Sequence, residues 1–191
     1  LGLAALADVP LFAVVSRLVA HKGMELLKFV EDELCELPIE LVILGVGEER
    51  FEQAFLELAQ RYPEKVSVTI GFDSALASKI YAAADFLLMP SKSEPCGLAQ
   101  MIAMRYGAIP VVRETGGLFD TVPAINTERL SGRGITFKLF NAHDMLGAVK
   151  RVSDFYKDKG MLCAIVCKIM KEDFSWRLPA GRYMELYQSL K

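Results

Sequence analysis

The sequence predicts an α/β protein built on a doubly wound parallel sheet of about six strands, with helices on both faces. Short apolar segments alternate with amphipathic segments of helical period along most of the 191 residues. Most of the apolar segments are continuous rather than alternating with polar residues, which is typical of parallel strands buried on both faces. An apolar content of 52% with 24% charged residues supplies a core and excludes a disordered chain.

The predicted elements follow one another in strand–helix order. Strands are expected at residues 11–15, 41–44, 66–70, 85–90, 108–112 and 134–138. Helices are expected at 24–34, 51–58, 76–84, 97–106, 142–156, 162–171 and 179–190. Ser74 is a plausible N-cap for the helix at 76–84, and Asn141 for the one at 142–156. We therefore expect one domain over residues 1–191, in which 161–191 form a helical extension.

Charge and cysteine usage exclude several classes of protein. Lys and Arg number 22 against 24 Asp and Glu, so the net charge of −2 calls for neither nucleic acid nor an anionic membrane. The apolar runs fall far short of the ~20 residues of a membrane span. Two histidines and four irregularly spaced cysteines predict no metal site, although Cys163 and Cys167 could share a helix face. Reduced core thiols are expected instead, which suits a cytosolic compartment.

Two loops at predicted strand ends carry charges suited to a phosphorylated ligand. Arg17 follows the first strand and Lys22 precedes the next helix, so together they could neutralise a diphosphate, or could simply be two solvated charges. Glu94 lies between the fourth strand and a helix, where its carboxylate could bind sugar hydroxyls or merely favour the helix start. The backbone amides of Cys96, Gly97 and Leu98 would form an anion site at that helix start.

Three further features lie at strand ends and carry weaker signals. Gly45 and Gly47 permit close approach to a ligand or a tight turn. A second glycine loop contains Thr115, Gly116 and Gly117, which could press against a ligand or form a turn of positive φ. Phe72 could stack on a base or close the core, and the core is the favoured interpretation when this residue is considered alone. Ligands of doubly wound sheets bind where such loops converge, at the carboxyl ends of the strands.

Taken together, these loops resemble the C-terminal domain of bacterial glycogen synthases and plant starch synthases. The matching segments are Ser-Arg-Leu at 16–18 with Lys22-Gly23, Gly-Val-Gly-Glu at 45–48, Ser-Lys-Ser-Glu-Pro-Cys-Gly-Leu at 91–98, Thr-Gly-Gly-Leu at 115–118 with Asp120-Thr121, and Asp-Phe-Ser-Trp at 173–176 leading to Tyr183 and Leu186-Tyr187. They cover nearly the whole chain from about residue 11. That family consists of retaining glucosyltransferases with the two-domain GT-B architecture, whose C-terminal domain is Rossmann-like.

The resemblance implies ADP-glucose as donor, an α-1,4-glucan as acceptor and no metal or other cofactor. Arg17, Lys22 and Glu94 match the catalytic-site residues of the family: the two cations at the donor diphosphate and the carboxylate at the glucose hydroxyls. The family's residues around the nucleotide sugar correspond in this chain to Gly45, Gly47, Phe72, Cys96, Gly97, Leu98, Thr115, Gly116 and Gly117. His21 departs from the family, which usually has Gln there. Ile102 stands where related enzymes using other nucleotide sugars have a second Glu.

Several further expectations follow from the same resemblance. The N-terminal acceptor domain of the family has no counterpart in these residues, so we expect a donor-binding half that is inactive alone. Its compartment would be the bacterial cytoplasm or the plastid stroma, and it would bind neither nucleic acid nor membrane. The last helix could pair with a second copy of the chain. The alternatives are a GT-B transferase that uses a UDP- or GDP-sugar and a non-catalytic nucleotide-binding module.

Overall fold

The computed structural model describes residues 1–4 and 8–190, and its centre is a six-stranded parallel sheet. The strands are β1 (Leu11–Val15), β2 (Glu40–Gly45), β3 (Val66–Ile70), β4 (Phe86–Met89), β5 (Ile109–Arg113) and β6 (Ile135–Phe137). Their order across the sheet is β3-β2-β1-β4-β5-β6, with every neighbouring pair parallel. The predicted fold class is confirmed.

Nine α-helices are found in the described part of the chain. They are α1 (Met24–Phe29), α2 (Glu31–Glu36), α3 (Glu49–Arg61), α4 (Ser74–Ala83), α5 (Ala99–Tyr106), α6 (Gly116–Thr121), α7 (Ala142–Lys157), α8 (Lys159–Ile169) and α9 (Arg177–Ser189). A 3-10 turn at Ala20–Lys22 precedes α1. None of the helices in residues 1–4 and 8–190 is long and apolar enough to cross a membrane.

The sheet divides two apolar layers, as the continuous apolar strands predict. Phe12 and Val14 of β1 point into the layer formed mainly with α1, α3 and α7, whereas Ala13 points toward α4 and α5. The same alternation holds for β2, where Leu41 and Ile43 join the first layer. All five of these side chains are at most 2% exposed. Burial on both faces fixes the register of each strand, because a shift by one residue would move every side chain of that strand to the opposite layer.

Two elements differ from the sequence-based prediction. The single helix expected at 24–34 is divided at Val30, whose φ of −116° and ψ of 22° lie outside the helical region. Val30 is buried, so the bend turns an apolar side chain into the core. The loop expected after β5 contains α6, although Gly116 and Gly117 are poor helix formers. Burial of Leu118 in the core outweighs that weak propensity.

Two predicted helix starts are also corrected. The N-cap of α4 is Asp73 rather than Ser74, because the Asp73 carboxylate accepts a hydrogen bond of 2.8 Å from the Leu76 amide. Helix α5 begins at Ala99 instead of Gly97, whose φ of 74° lies in the left-handed region. Asn141 caps α7 as predicted, since its side chain accepts from the His143 and Asp144 amides.

The C-terminal helices differ in how they pack. Ile165 and Ile169 of α8 are fully buried in the main core. Every residue of α9 is exposed, including Tyr183 and Tyr187, whose rings lie 6.5 Å apart. Pairing of α9 with a second copy of the chain stays a prediction.

Candidate functional site

The carboxyl ends of β1 and β4 mark the point where the sheet changes winding direction. These strands are neighbours, but the chain leaves β1 toward β2 and leaves β4 toward β5. Loops that separate at such a point open a crevice, the usual ligand site of doubly wound sheets. Here the crevice is bounded by the basic loop (residues 16–23) and the acidic loop (residues 90–98).

The basic and acidic loops are locked together through their backbones. The Lys92 amide donates a hydrogen bond of 2.9 Å to the carbonyl oxygen of His21. Gly23 lies so close to the acidic loop that a Cβ there would be 2.1 Å from the Pro90 carbonyl oxygen. Gly23 also has a φ of 80°, so both its conformation and its surroundings require glycine.

This packing brings Lys22 and Glu94 into direct contact. The Lys22 ammonium donates to Glu94 Oε2, and the side chains are 16% and 8% exposed. The Ser91 hydroxyl donates to the same carboxylate oxygen over 3.3 Å. The sequence predicts roles for both charged residues but not their ion pair, because 72 positions separate them along the chain. The site therefore holds a cation and an anion side by side at the crevice floor.

Arg17 lies nearer the surface than Lys22. It is exposed, and its Nη2 lies 3.2 Å from His21 Nε2. An exposed guanidinium keeps donors available for a ligand oxygen. Arg17 also lines a cavity of about 450 Å³ at the ends of β1, β2 and β3.

That cavity contains two of the other predicted residues. Gly45 and Phe72 line it, together with Asp73 and Tyr81. Phe72 is 93% exposed, so the interpretation of this side chain as a core residue is wrong. A ring this exposed leaves its face free for stacking on a planar group.

Gly45, the last residue of β2, and Gly47 both pack closely against the backbone of the basic loop. A Cβ at Gly45 would lie 1.9 Å from the Ser16 carbonyl oxygen, and one at Gly47 would lie 2.1 Å from that of Leu18. Glu48 accepts a hydrogen bond of 3.0 Å from the Ala20 amide, at the start of the 3-10 turn that carries Lys22. Chiefly because of this hydrogen bond, the pKa of Glu48 lies below its ordinary value of 4.5.

The second glycine loop packs directly against the acidic loop. Gly117 donates from its amide to the Glu94 carbonyl oxygen over 2.9 Å. A Cβ at Gly116 would be 2.3 Å from that oxygen, and one at Gly117 would be 2.0 Å from the carbonyl oxygen of Cys96. The residues of this loop and those of the helix start at 96–98 therefore lie side by side. Thr115 is the N-cap of α6 but makes no side-chain capping bond.

The helix start at 96–98 presents backbone amides that precede the first turn of α5. Such amides have no intrahelical partner and can bind an anion. The side chain of Leu98 is 66% exposed, and Cys96 is exposed. Of the four free cysteines, Cys35 alone is buried, so the expectation of core thiols holds for that residue only.

Arg113 is a residue of the site to which the sequence assigned no role. From the end of β5 its Nε donates to the Ser91 carbonyl oxygen over 2.8 Å, and its Nη2 donates to that of Lys92. Its guanidinium lies over the Phe140 ring, 5.7 Å from the centroid. These contacts hold the loop that carries Glu94. A cation as the last residue of a buried strand, beside a glycine loop, was the available signal.

The arrangement suits an anionic ligand that also carries hydroxyl groups. Lys22, Arg17 and the amides at 96–98 supply positive charge and donors, whereas Glu94 supplies an acceptor for hydroxyls. In the described part of the chain, no cluster of three or more His, Cys, Asp or Glu side chains could hold a metal ion.

Comparisons with known proteins agree with this geometry. The family model described as "Glycosyl transferases group 1" matches residues 4–159. A glycogen synthase of Anoxybacillus flavithermus is 51% identical over 183 residues, which are 96% of this chain and 38% of that protein. A glycogen synthase of Geobacillus stearothermophilus is 48% identical over 99% of this chain and 39% of its own length. The chain thus spans about two fifths of these relatives.

Solved structures show the same architecture. The catalytic domain of starch synthase IV from Arabidopsis thaliana, bound to ADP and acarbose, superimposes with a TM-score of 0.88 and 36% identity. The match covers 99% of this chain and 40% of that one. A sucrose-phosphate synthase from Thermosynechococcus elongatus gives a TM-score of 0.70 at 24% identity over 97% of this chain and 46% of its own, a likeness of fold alone.

Proposed function

This chain belongs to the glycosyl transferases group 1 family, and from that premise we propose that it is the donor-binding domain of an ADP-glucose-dependent glucan synthase. The complete enzyme would transfer glucose with retention to the non-reducing end of an α-1,4-glucan. Two findings support the choice of donor: the relatives named glycogen synthase and the starch synthase structure bound to ADP.

The observation that carries the proposal is the Lys22–Glu94 pair on the floor of the crevice. A nucleotide sugar presents a diphosphate joined directly to a ring of hydroxyl groups. A site for it needs positive charge and a hydroxyl acceptor within a few ångströms of each other, as this pair provides. A site for a simple phosphate has no use for the buried carboxylate.

The reaction would use these residues electrostatically. Cleavage of the anomeric C–O bond puts negative charge on the departing ADP and positive charge on the sugar. Lys22, Arg17 and the amides at 96–98 would stabilise the diphosphate, because donors fixed before the reaction need no reorganisation. By analogy with an oxyanion-hole donor, loss of one such cation would raise the barrier by about 3–4 kcal/mol.

Glu94 would position the sugar and stabilise its positive charge rather than form a covalent intermediate. Its Oε2 already accepts hydrogen bonds from Lys22 and Ser91. A carboxylate oxygen engaged by an ammonium and a hydroxyl is a weaker nucleophile than a free one. The site would need no metal ion, because Lys22 and Arg17 would neutralise the diphosphate charge that Mg²⁺ neutralises in other enzymes.

The cavity beside Arg17 would hold the adenine. Its volume of about 450 Å³ is sufficient for a nucleoside, and Phe72 stands at its edge with an exposed ring. Because the chain spans about two fifths of its relatives, we expect it to bind ADP without elongating a glucan alone.

Isothermal titration calorimetry of the chain with ADP, UDP and GDP tests the proposal. We expect ADP to bind at least about tenfold more tightly than either alternative, a difference of about 1.4 kcal/mol. Tighter binding of UDP or GDP would favour a transferase that uses another nucleotide sugar. A chain that binds none of the three would contradict the proposed function.

A pair of lysine variants shows whether binding uses the crevice. Lys22→Ala should weaken ADP binding at least about tenfold, since it removes a charge-assisted contact. Lys28→Ala is the matched control, because Lys28 is an exposed lysine on α1 outside the crevice, and it should leave the affinity unchanged. Equal ADP affinities for the two variants would reject the site.

A further inference from the structure

Gln100 is a fully buried polar residue next to the helix start at 96–98. It is the second residue of α5 and 0% exposed. Its Nε2 donates to the carbonyl oxygens of Cys96 and Gly97, at 3.1 and 2.9 Å, and lies 3.0 Å from Thr121 Oγ1. Two carbonyl oxygens beside one end of the amide identify that end as the nitrogen.

Thr121 extends this set of contacts to the second glycine loop. Its hydroxyl donates to the Gly117 carbonyl oxygen over 2.5 Å, while the Gly117 amide donates to the Glu94 carbonyl oxygen over 2.9 Å. A partly buried chain of hydrogen bonds therefore runs from the turn at 96–97 through Gln100 and Thr121 to Gly117, and from there back to the loop that carries Glu94.

The two ends of the Gln100 amide are unequally satisfied. The Gln100 Oε1 atom is buried and meets no hydrogen-bond donor among residues 1–4 and 8–190. A buried acceptor without a donor costs free energy, which offsets part of what the Nε2 hydrogen bonds contribute to stability. The same oxygen would lie 2.5 Å from a Cβ at Gly97, so the amide is pressed against the backbone of the proposed anion site.

We propose that Gln100 and Thr121 are positioning residues that fix the amides at 96–98 relative to the glycine pair 116–117, so that both backbones contact the donor diphosphate and sugar together. The inference rests on the proposed function. Neither side chain needs to touch the donor, because both act through the carbonyl oxygens they hold.

Amide hydrogen exchange tests the hydrogen-bonded link without any ligand. The nearly isosteric variants Gln100→Met and Thr121→Val should each speed exchange of the Gly117 amide about five- to tenfold, because each removes hydrogen bonds that hold the segments on the two sides of this amide together. Thr121→Ser retains the hydroxyl and should exchange within about twofold of the unaltered chain. Gln60→Met, at an exposed position of α3, is the matched control. Unchanged exchange in Gln100→Met would overturn the proposal.

ADP titration tests the consequence for binding. Gln100→Met and Thr121→Val should each lower the affinity for ADP about five- to tenfold. The double variant should bind ADP about as tightly as the single variant with the lower affinity, because both residues belong to one network and their effects do not add. Full affinity in both single variants would overturn the positioning role. If the unaltered chain binds no nucleotide, the proposed function fails and the role in donor positioning fails with it, whereas the exchange measurement still decides whether the link exists.

Discussion

Replacing Gly117 by alanine perturbs the closest approach between the two loops that form the site. A Cβ at this position would be 2.0 Å from the Cys96 carbonyl oxygen and 2.6 Å from the Cys96 Cα. Contacts below 3.0 Å are essentially absent from real structures, so the loops must separate by about 1 Å. Both obstructing atoms belong to the backbone, so no side-chain rotation relieves the clash.

The cost of this separation has two parts. Overpacking of a closely packed region typically costs about 1–3 kcal/mol. Lengthening the hydrogen bond from the Gly117 amide to the Glu94 carbonyl oxygen lowers the free energy of unfolding by about 1 kcal/mol more. We therefore expect Gly117→Ala to lose about 2–4 kcal/mol of unfolding free energy and at least about tenfold in ADP affinity, since the backbones on both sides of the proposed diphosphate site move apart.

Urea denaturation and calorimetric titration with ADP measure the two effects. Gly147→Ala in α7 is the control, because the nearest atom to its added Cβ is the end of the Arg151 side chain, 3.9 Å away. That variant should be neutral or more stable by up to about 1 kcal/mol, as alanine favours a helix interior over glycine. A Gly117→Ala chain as stable as the parent, or one that is destabilised yet binds ADP normally, would show that the two loops do not depend on this close contact.

Three further predictions concern separate parts of the site and core. Phe72→Ala should lower the affinity for ADP about tenfold through lost base stacking. The same variant should keep its unfolding free energy within about 0.5 kcal/mol of the parent value, because Phe72 is 93% exposed. Unchanged ADP affinity in calorimetry would count against adenine at this ring. Burial raises the pKa of the Cys35 thiol to about 11, so iodoacetamide at pH 8 should alkylate exposed Cys96 but spare Cys35, as read by mass spectrometry; rapid alkylation of Cys35 in the folded chain would contradict its burial. The hydrogen bond from Ala20 favours ionised Glu48 and lowers the pKa of Glu48, so its contribution is present above pH 4.5 and is lost as pH falls through the lowered pKa. The Ala20 amide proton shift in NMR should therefore titrate with a midpoint below 4.5, and a midpoint above that value would reject the contact.

The positions of the six strands along the chain were predictable because burial on both faces leaves a strong local signal in the sequence. Continuous apolar runs such as Leu11–Val15 have few structural alternatives when helices separate them. The features that escaped prediction depend on tertiary contacts. Helix α6 forms despite two glycines because Leu118 is buried, and the bend at Val30 exists because that side chain turns into the core.

The candidate site shows the same division. Its loops could be identified because the carboxyl ends of parallel strands meet at one edge of the sheet. The contacts within it could not, since Lys22 and Glu94 are 72 positions apart, and Arg113 reaches a carbonyl oxygen 22 positions away. Gln100 lies within a predicted helix, where a glutamine is usually a solvated residue; its burial against Cys96 and Thr121 is visible only in three dimensions.

A crystal structure of the chain with ADP would show directly whether the diphosphate lies between the basic and acidic loops. We expect diphosphate oxygens within about 3.2 Å of the Lys22 ammonium or the Arg17 guanidinium and of the amides at 96–98, with adenine against Phe72. ADP bound away from the basic and acidic loops, for example between α5 and residues 171–175, would contradict this expectation.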